Sequence, residues 1–274
     1  MENKVENISE ILKWYSLSGV DEICADSPQN ILAVGADHTI SAEVKRRQDI
    51  TRVAQENAAA VRPATTLLAQ SNSEALNNAR EACRNADSLE QLQQILSGFE
   101  GCSLKFSANS TVFGYGNPKA EVMVIGEAPG AEEDRLGKPF VGRSGQLLDK
   151  MLASIGLNRE ENCYITNVLP WRPPGNRTPT DAEVAVCLPF LRRQIELVNP
   201  RIIFLLGASA ANAVLDNTDS ISNLRGKFID YTTDTGIVIP TLSSFHPAFL
   251  LRSAAQKAKA WSDLLRLRRK LYGK

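Results

Sequence analysis

The chain has 274 residues, 43% of them hydrophobic, with 31 basic and 31 acidic side chains and no net charge. That length holds one large domain or two small ones, and that hydrophobic share supplies a real core. No run approaches the roughly 20 apolar residues of a membrane span, and Met1–Lys13 is mildly acidic without the apolar stretch of a secretory signal. Five scattered cysteines (Cys24, Cys83, Cys102, Cys163, Cys187) fit reduced thiols rather than a disulfide framework. The expectation is a cytoplasmic protein with no membrane contact. Charge is unevenly spread: residues 1–100 carry 9 Lys and Arg against 15 Asp and Glu, and residues 247–274 carry 8 against 1, Asp263. A basic C-terminal end fits a polyanion contact or an exposed, solvated helix.

In chain order, Ile8–Leu17 reads as a short amphipathic helix, with Ile8, Ile11, Leu12 and Tyr15 at helical spacing and Gly19 ending it. Ser27 to Ala82 is weakly patterned. Residues 54–83 are rich in Ala, Asn, Gln and Ser and read as a linker, partly helical or disordered. Ser88–Ser97 predicts a short helix with Leu89, Leu92, Ile95 and Leu96 as its apolar set. Residues 1–87 are therefore expected to form an N-terminal extension and linker, partly disordered, and residues 88–274 a folded catalytic domain.

From Lys119 the signal strengthens. Four apolar runs read as buried strands: Glu121–Ile125, Cys163–Val168, Arg201–Leu206 and Ile237–Leu242. Helical patterns separate the first three. The clearest is Thr180–Val198, where Thr180 and Glu183 stand in capping-box spacing and Val184, Cys187, Leu188, Leu191, Ile195 and Val198 make one stripe. Ser144 reads as the N-cap of another helix, with Leu147, Leu148, Met151, Leu152 and Ile155 on one face. A basic helix spans about Ala254–Leu271. Strands alternating with helices predict a parallel sheet covered on both faces.

The first strand breaks into Gly126-Glu127-Ala128-Pro129-Gly130, followed by Glu132, Glu133 and Asp134, then Pro139-Phe140-Val141-Gly142. In open α/β sheets ligands bind at such strand ends. Glu127 is a candidate base or a turn cap. Phe140 is a stacking platform for a flat ligand or a plain hydrophobic anchor. Asn167 ends the second strand and offers a donor and an acceptor to an amide edge, or an Asx-turn to its own backbone. His246, in Phe245-His246-Pro247 after the fourth strand, is a structural histidine or a donor to a developing anion. The loop from Trp171 to Arg177 is rigid and basic, suited to a nucleic-acid backbone or to plain connection. Gly137-Lys138 lacks the glycine spacing of a phosphate loop, and no G-x-G-x-x-G follows a strand. In a parallel sheet Glu127, Asn167 and His246 share one C-terminal edge.

Together these residues resemble the family 4 type of uracil-DNA glycosylase. The resemblance is carried by Gly126–Gly130 with Glu133-Asp134, by Gly137–Gly142, by Tyr164–Val168, by Arg172–Arg177, and by Phe245–Pro247 with Leu250-Leu251-Arg252. It covers about Cys102 to Tyr272. It implies a three-layer α/β/α sandwich around a four-stranded parallel sheet. It also implies hydrolysis of the N-glycosidic bond of uracil in single- and double-stranded DNA, by a monomer. Other deaminated or damaged bases stay open as substrates. The rival reading is a nucleic-acid-binding protein with this fold and little or no catalysis. Carried over by position, Glu127, Glu133 and His246 are catalytic, and Gly126, Ala128, Phe140 and Asn167 contact the base. Arg172, Arg177 and Arg252 hold DNA. The family carries an iron–sulfur cluster on four cysteines. Here Cys102 and Cys187 match two ligand positions, while Phe99 and Trp171 stand at the others. Since such clusters take four thiolates, the expectation is an enzyme with no cofactor and no metal, with Phe99 and Trp171 packed into that volume.

Overall fold

The computed structural model describes residues 73–273, all within one compact unit. The expected helix Ile8–Leu17 and most of the expected extension lie outside the described residues. Its last part does not: residues 73–84 form a helix, α1, whose Ala79 and Cys83 are buried in the main core. Small side chains make that packing, which is why the sequence pattern there is weak. Helix α2, Leu89–Gly98, starts where Ser88 accepts a hydrogen bond from the Gln91 amide, as an N-cap serine does. A short helix, α3 (Leu104–Ser107), follows.

The sheet has six strands: β1 (Tyr115–Gly116), β2 (Val122–Gly126), β3 (Cys163–Asn167), β4 (Ile202–Leu206), β5 (Phe228–Thr232) and β6 (Val238–Ser244), in the order β1-β3-β2-β4-β6-β5. The inner four are parallel, as expected, and are the four apolar runs. The edge strands are additions, and both pair antiparallel. β1 has two residues. β5 buries only Tyr231 and lacks the continuous apolar run that marks a strand covered on both faces.

Alternation along each inner strand splits the core in two. Val122 and Val124 join Leu148, Leu152, Leu264 and Leu267, whereas Met123 and Ile125 join Leu96, Phe190, Leu191 and Ile195. Between β2 and β3 lie α4 (Ala131–Leu136) and α5 (Arg143–Ala153), and between β3 and β4 lies α6 (Asp181–Val198). α5 starts one turn-step earlier than predicted: Gly142 is its N-cap and Ser144 is inside the helix. In α6 the capping box of Thr180 and Glu183 forms in both directions. Two helices that the sequence did not signal, α7 (Ala208–Leu215) and α8 (Ile221–Leu224), connect β4 to β5. α7 packs through Ala210, Ala211 and Val214, a small-residue face with little amplitude. After β6 come α9 (Pro247–Arg252), a 3₁₀ turn (Ala254–Gln256) and the basic α10 (Lys257–Tyr272). The result is the expected α/β/α sandwich.

Asp263, the lone acid of the basic end, is the bolt of α10. It is fully buried, accepts from Ser244 Oγ at 2.7 Å, and meets the Arg225 guanidinium at 2.6 and 3.1 Å. α10 is thereby fixed to the end of β6, two residues before His246. Burial pushes the Asp263 carboxyl pKa up, against the opposing pull of Ser244 and Arg225.

Candidate active site at the C-terminal edge of the sheet

Parallel register sets Gly126 at the end of β2 directly beside Asn167 at the end of β3. A Cβ on Gly126 would stand 2.5 Å from Asn167 Oδ1 and 2.5 Å from the Phe140 ring. Glycine is needed there because two other side chains occupy the space. Asn167 is buried, and its Oδ1 has no hydrogen-bond partner among the described residues. An orphaned buried acceptor costs about 1–3 kcal/mol. Such a group calls for an explanation, and beside a cavity a ligand that supplies the missing donor is one.

Phe140 is buried, with a backbone φ of 53°, the left-handed region that bulky residues rarely adopt. Three contacts hold it there. Glu133 Oε1 accepts from the Val141 and Gly142 amides at 2.9 and 2.8 Å. Arg159 donates Nη1 to the Pro139 carbonyl at 2.8 Å and Nη2 to the Phe140 carbonyl, while its Nε meets Asp149 at 2.6 Å. Gly145 of α5 lets the Phe140 carbonyl approach so closely that a Cβ would overlap it. The ring is thus presented to the cavity, 5.6 Å from the His246 ring at an interplanar angle of 31°. Arg159 stands 19 and 20 residues beyond the carbonyls it holds, with Asp149 in the helix between, so no local motif announced them.

His246 is the N-cap of α9, and its Nδ1 accepts from the Ala248 amide at 3.1 Å. That bond fixes the neutral tautomer with hydrogen on Nε2. Burial pushes the imidazole pKa down to about 4; Arg252 adds to the effect and Glu133 opposes it. At neutral pH the ring is an uncharged donor.

These groups line one cavity of about 440 Å³, with Glu127, Ala128, Glu133, Phe140, Asn167, Arg177, His246 and Arg252 in its wall. Gly126 sits behind the wall, against Phe140 and Asn167. Arg172 is not in it; its Nε donates to Asn176 Oδ1 at 2.7 Å. Sequence reasoning missed Ser144, Asn176 and Phe249, which also face the cavity. The two carboxylates differ. Glu133 is buried and tied to the loop, whereas the Glu127 carboxylate has no partner among the described residues. Glu127 also borders a neighbouring cleft of about 350 Å³ with Asp181 and Asn212. The arginines differ too. Arg177 is paired with Glu183 at 2.6 and 2.9 Å, and Arg252 is exposed with no partner among the described residues.

Away from this cavity, Cys102 and Cys187 are buried and their thiols interact, which lowers the Cys102 pKa and raises that of Cys187. Trp171 is buried, its indole donating to Thr111 Oγ1 at 3.0 Å, and Phe99 packs edge-on against Phe190.

Residues 113–265 match the uracil DNA glycosylase superfamily. The chain is 42% identical to a type-4 uracil-DNA glycosylase of Thermotoga maritima over 62% of its own length and 88% of that protein. It is 40% identical to the type-4 enzyme of Archaeoglobus fulgidus, over 66% of the chain and 92% of the relative. A type-5 uracil-DNA glycosylase of Pyrobaculum aerophilum is 40% identical over 37% of the chain and 50% of that protein. This kinship overturns the expectation of a cofactor-free enzyme, because type-4 relatives are iron–sulfur enzymes. That expectation rested on counting thiolates at four positions of one sequence, and the count does not stand against similarity along nearly the whole of these relatives. Toward such a group the described residues bring Cys102 and Cys187, two of the four thiolates a cluster takes. These two alone do not complete it, and no chemical step below passes through it. With the sheet-edge cavity, the motif order and this extent of identity in agreement, the chain belongs to the type-4 uracil-DNA glycosylases of the uracil DNA glycosylase superfamily.

Proposed function

We propose that this protein hydrolyses the N-glycosidic bond of uracil in DNA and leaves an abasic site. The observation that carries the reading is the orphaned Asn167 Oδ1, which faces the buried Phe140 ring and Gly126 at the floor of the cavity. Uracil offers what this arrangement lacks: a flat ring to lie on Phe140 and an imide N–H to donate to Asn167. A base must leave the duplex stack to be reached, at a cost of a few kcal/mol, and stacking plus the new hydrogen bond recover it.

Bond cleavage sends the glycosidic electron pair to uracil N1, and the charge spreads onto the carbonyl oxygens. His246 donates from Nε2 to that developing anion, as a preorganised neutral donor. The sugar left behind is oxocarbenium-like. Glu127, unpaired among the described residues, stabilises that cation and orients the water that adds to C1′, whose proton is then lost to solvent. Glu133 acts as a positioning residue, by fixing the Val141–Gly142 amides. Arg159 is a positioning residue as well, through the backbone of Phe140. Arg252 binds phosphate at the rim, and Arg172, outside the cavity wall, does so farther along the strand. Arg177 does so less strongly because Glu183 already holds it. The protein works as a monomer on single- and double-stranded DNA in the cytoplasm.

Oligonucleotides carrying one uracil, single- and double-stranded, are incubated with the protein and then treated with alkali. Strand breaks at the uracil position are expected. Their absence at high enzyme excess refutes the assignment and leaves a binding protein. Parallel substrates with hypoxanthine or xanthine measure the range of bases removed.

A further inference from the structure

A second cavity, of about 640 Å³, lies between α1 and α6 and shares no lining residue with the catalytic one. Its walls carry four guanidinium groups: Arg80 and Arg84 from α1, Arg192 and Arg193 from α6. Among the described residues two lining carboxylates answer them. Glu196 is taken by Arg193 at 2.8 Å, and Arg193 also donates twice to the Ala86 carbonyl. Asp234 meets Arg192 at 3.5 Å, with Asp234 largely exposed and Arg192 partly buried. Arg80 and Arg84 make no ion pair or hydrogen bond among the described residues. They stand one helical turn apart, where like charges repel. Between the arginines the surface is apolar: Leu76, Ala185, Leu188 and Pro189.

Excess guanidinium around an apolar floor is the chemistry that holds a phosphate on a carbon body. Arginine binds phosphate with paired N–H donors, and its planar face stacks on flat rings. The volume falls in the range of small-molecule sites. We propose that this cavity is a binding site for a phosphate ester of nucleotide size. α1, with Arg80 and Arg84, lies outside the family-matched stretch 113–265, whereas α6, with Arg192 and Arg193, lies inside it, so the site joins the superfamily domain to a segment beyond it. It stands independently of the reading of the catalytic cavity.

The test is calorimetric titration of the full chain with AMP, UMP and inorganic phosphate, for wild type and for Arg80→Gln/Arg84→Gln. Saturable nucleotide binding is expected, tighter than that of inorganic phosphate and weakened at least about tenfold by the double substitution. Basal uracil excision stays unchanged, because neither residue touches the catalytic cavity. If the double variant melts early, Arg192→Gln is the substitute and predicts the same direction. Asn167→Ala leaves nucleotide binding intact. Absence of saturable binding overturns the proposal, as does binding lost in Asn167→Ala but kept in the arginine variants. Equal affinity for inorganic phosphate overturns the ester assignment. If the arginine variants lose affinity for undamaged DNA while nucleotides never bind, the cavity is a DNA contact instead.

Discussion

Replacing Arg159 by methionine separates packing from positioning at the base pocket. Arg159 holds the Pro139 and Phe140 carbonyls and is itself held by Asp149, with its side chain 12% exposed. Each hydrogen bond from a charged donor is worth about 1.5–3 kcal/mol. The left-handed conformation of Phe140 costs about 1–3 kcal/mol and persists only while its surroundings over-determine it. The two magnitudes are comparable, so loss of both donors lets the Phe140 backbone relax and the ring lose its fixed place beside Asn167. Misplacement worth about 1.4–2.7 kcal/mol lowers kcat/KM by 10- to 100-fold. Single-turnover excision from a uracil oligonucleotide, under excess enzyme, reads the chemical step directly. Arg159→Lys keeps one donor and recovers part of the rate, and Asp149→Asn, at a partly exposed partner, has a smaller effect. If Arg159→Met lowers Tm but leaves kcat/KM within about twofold of wild type, the guanidinium is merely structural and the argument fails.

The remaining expectations concern the other cavity groups. Asn167→Ala removes an unmet buried acceptor, so it lowers kcat/KM by about 10- to 100-fold without lowering stability; a matching fall in Tm counts against an acceptor kept for ligand. The His246 imidazole, with its pKa pushed down to about 4, gives no inflection near pH 6.5 in the pH–rate profile, and an inflection there that vanishes in His246→Asn refutes the neutral-donor role. The sign for folding follows. The unfolded histidine takes up its proton below about pH 6.5 and the folded one only near pH 4, so this group removes stability as pH falls through that window. Glu133→Gln keeps an acceptor for the two loop amides and retains more activity than Glu133→Ala, whereas Glu127→Gln and Glu127→Ala lose comparable activity; the reverse pattern exchanges the two roles. Asp263→Ala strands Arg225 and destabilises the fold by about 3–5 kcal/mol, measured by denaturant unfolding; a change under about 1 kcal/mol means that Arg225 finds water instead.

Much of the site could be read before the fold. Glu127, Phe140, Asn167 and His246 each carried a plain structural reading, and the shared edge of Glu127, Asn167 and His246 followed from one inference, that strands in parallel end at the same edge. The four inner strands were legible because burial on both faces demands unbroken apolar runs. α7 and the packing of α1 were not, because alanine and cysteine faces give little amplitude. The division between Glu127 and Glu133 was likewise invisible, since it depends on which carboxylate the Val141 and Gly142 amides engage once the intervening loop has folded back.

Sequence by itself determined the layered architecture, the capping of α6 and the identity of the groups at the sheet edge, all of which follow from local periodicity and residue chemistry. Tertiary structure alone decided that Asp263 is a buried bolt rather than a stray charge, that Arg177 is already paired, and that Arg159 sets the pose of Phe140. The first and last depend on contacts between residues distant in the chain, such as Arg225 with Asp263, and the second on the loop path that brings Arg177 to Glu183. No local pattern encodes such a contact, because its free energy depends on burial and geometry that exist only once the layers have packed.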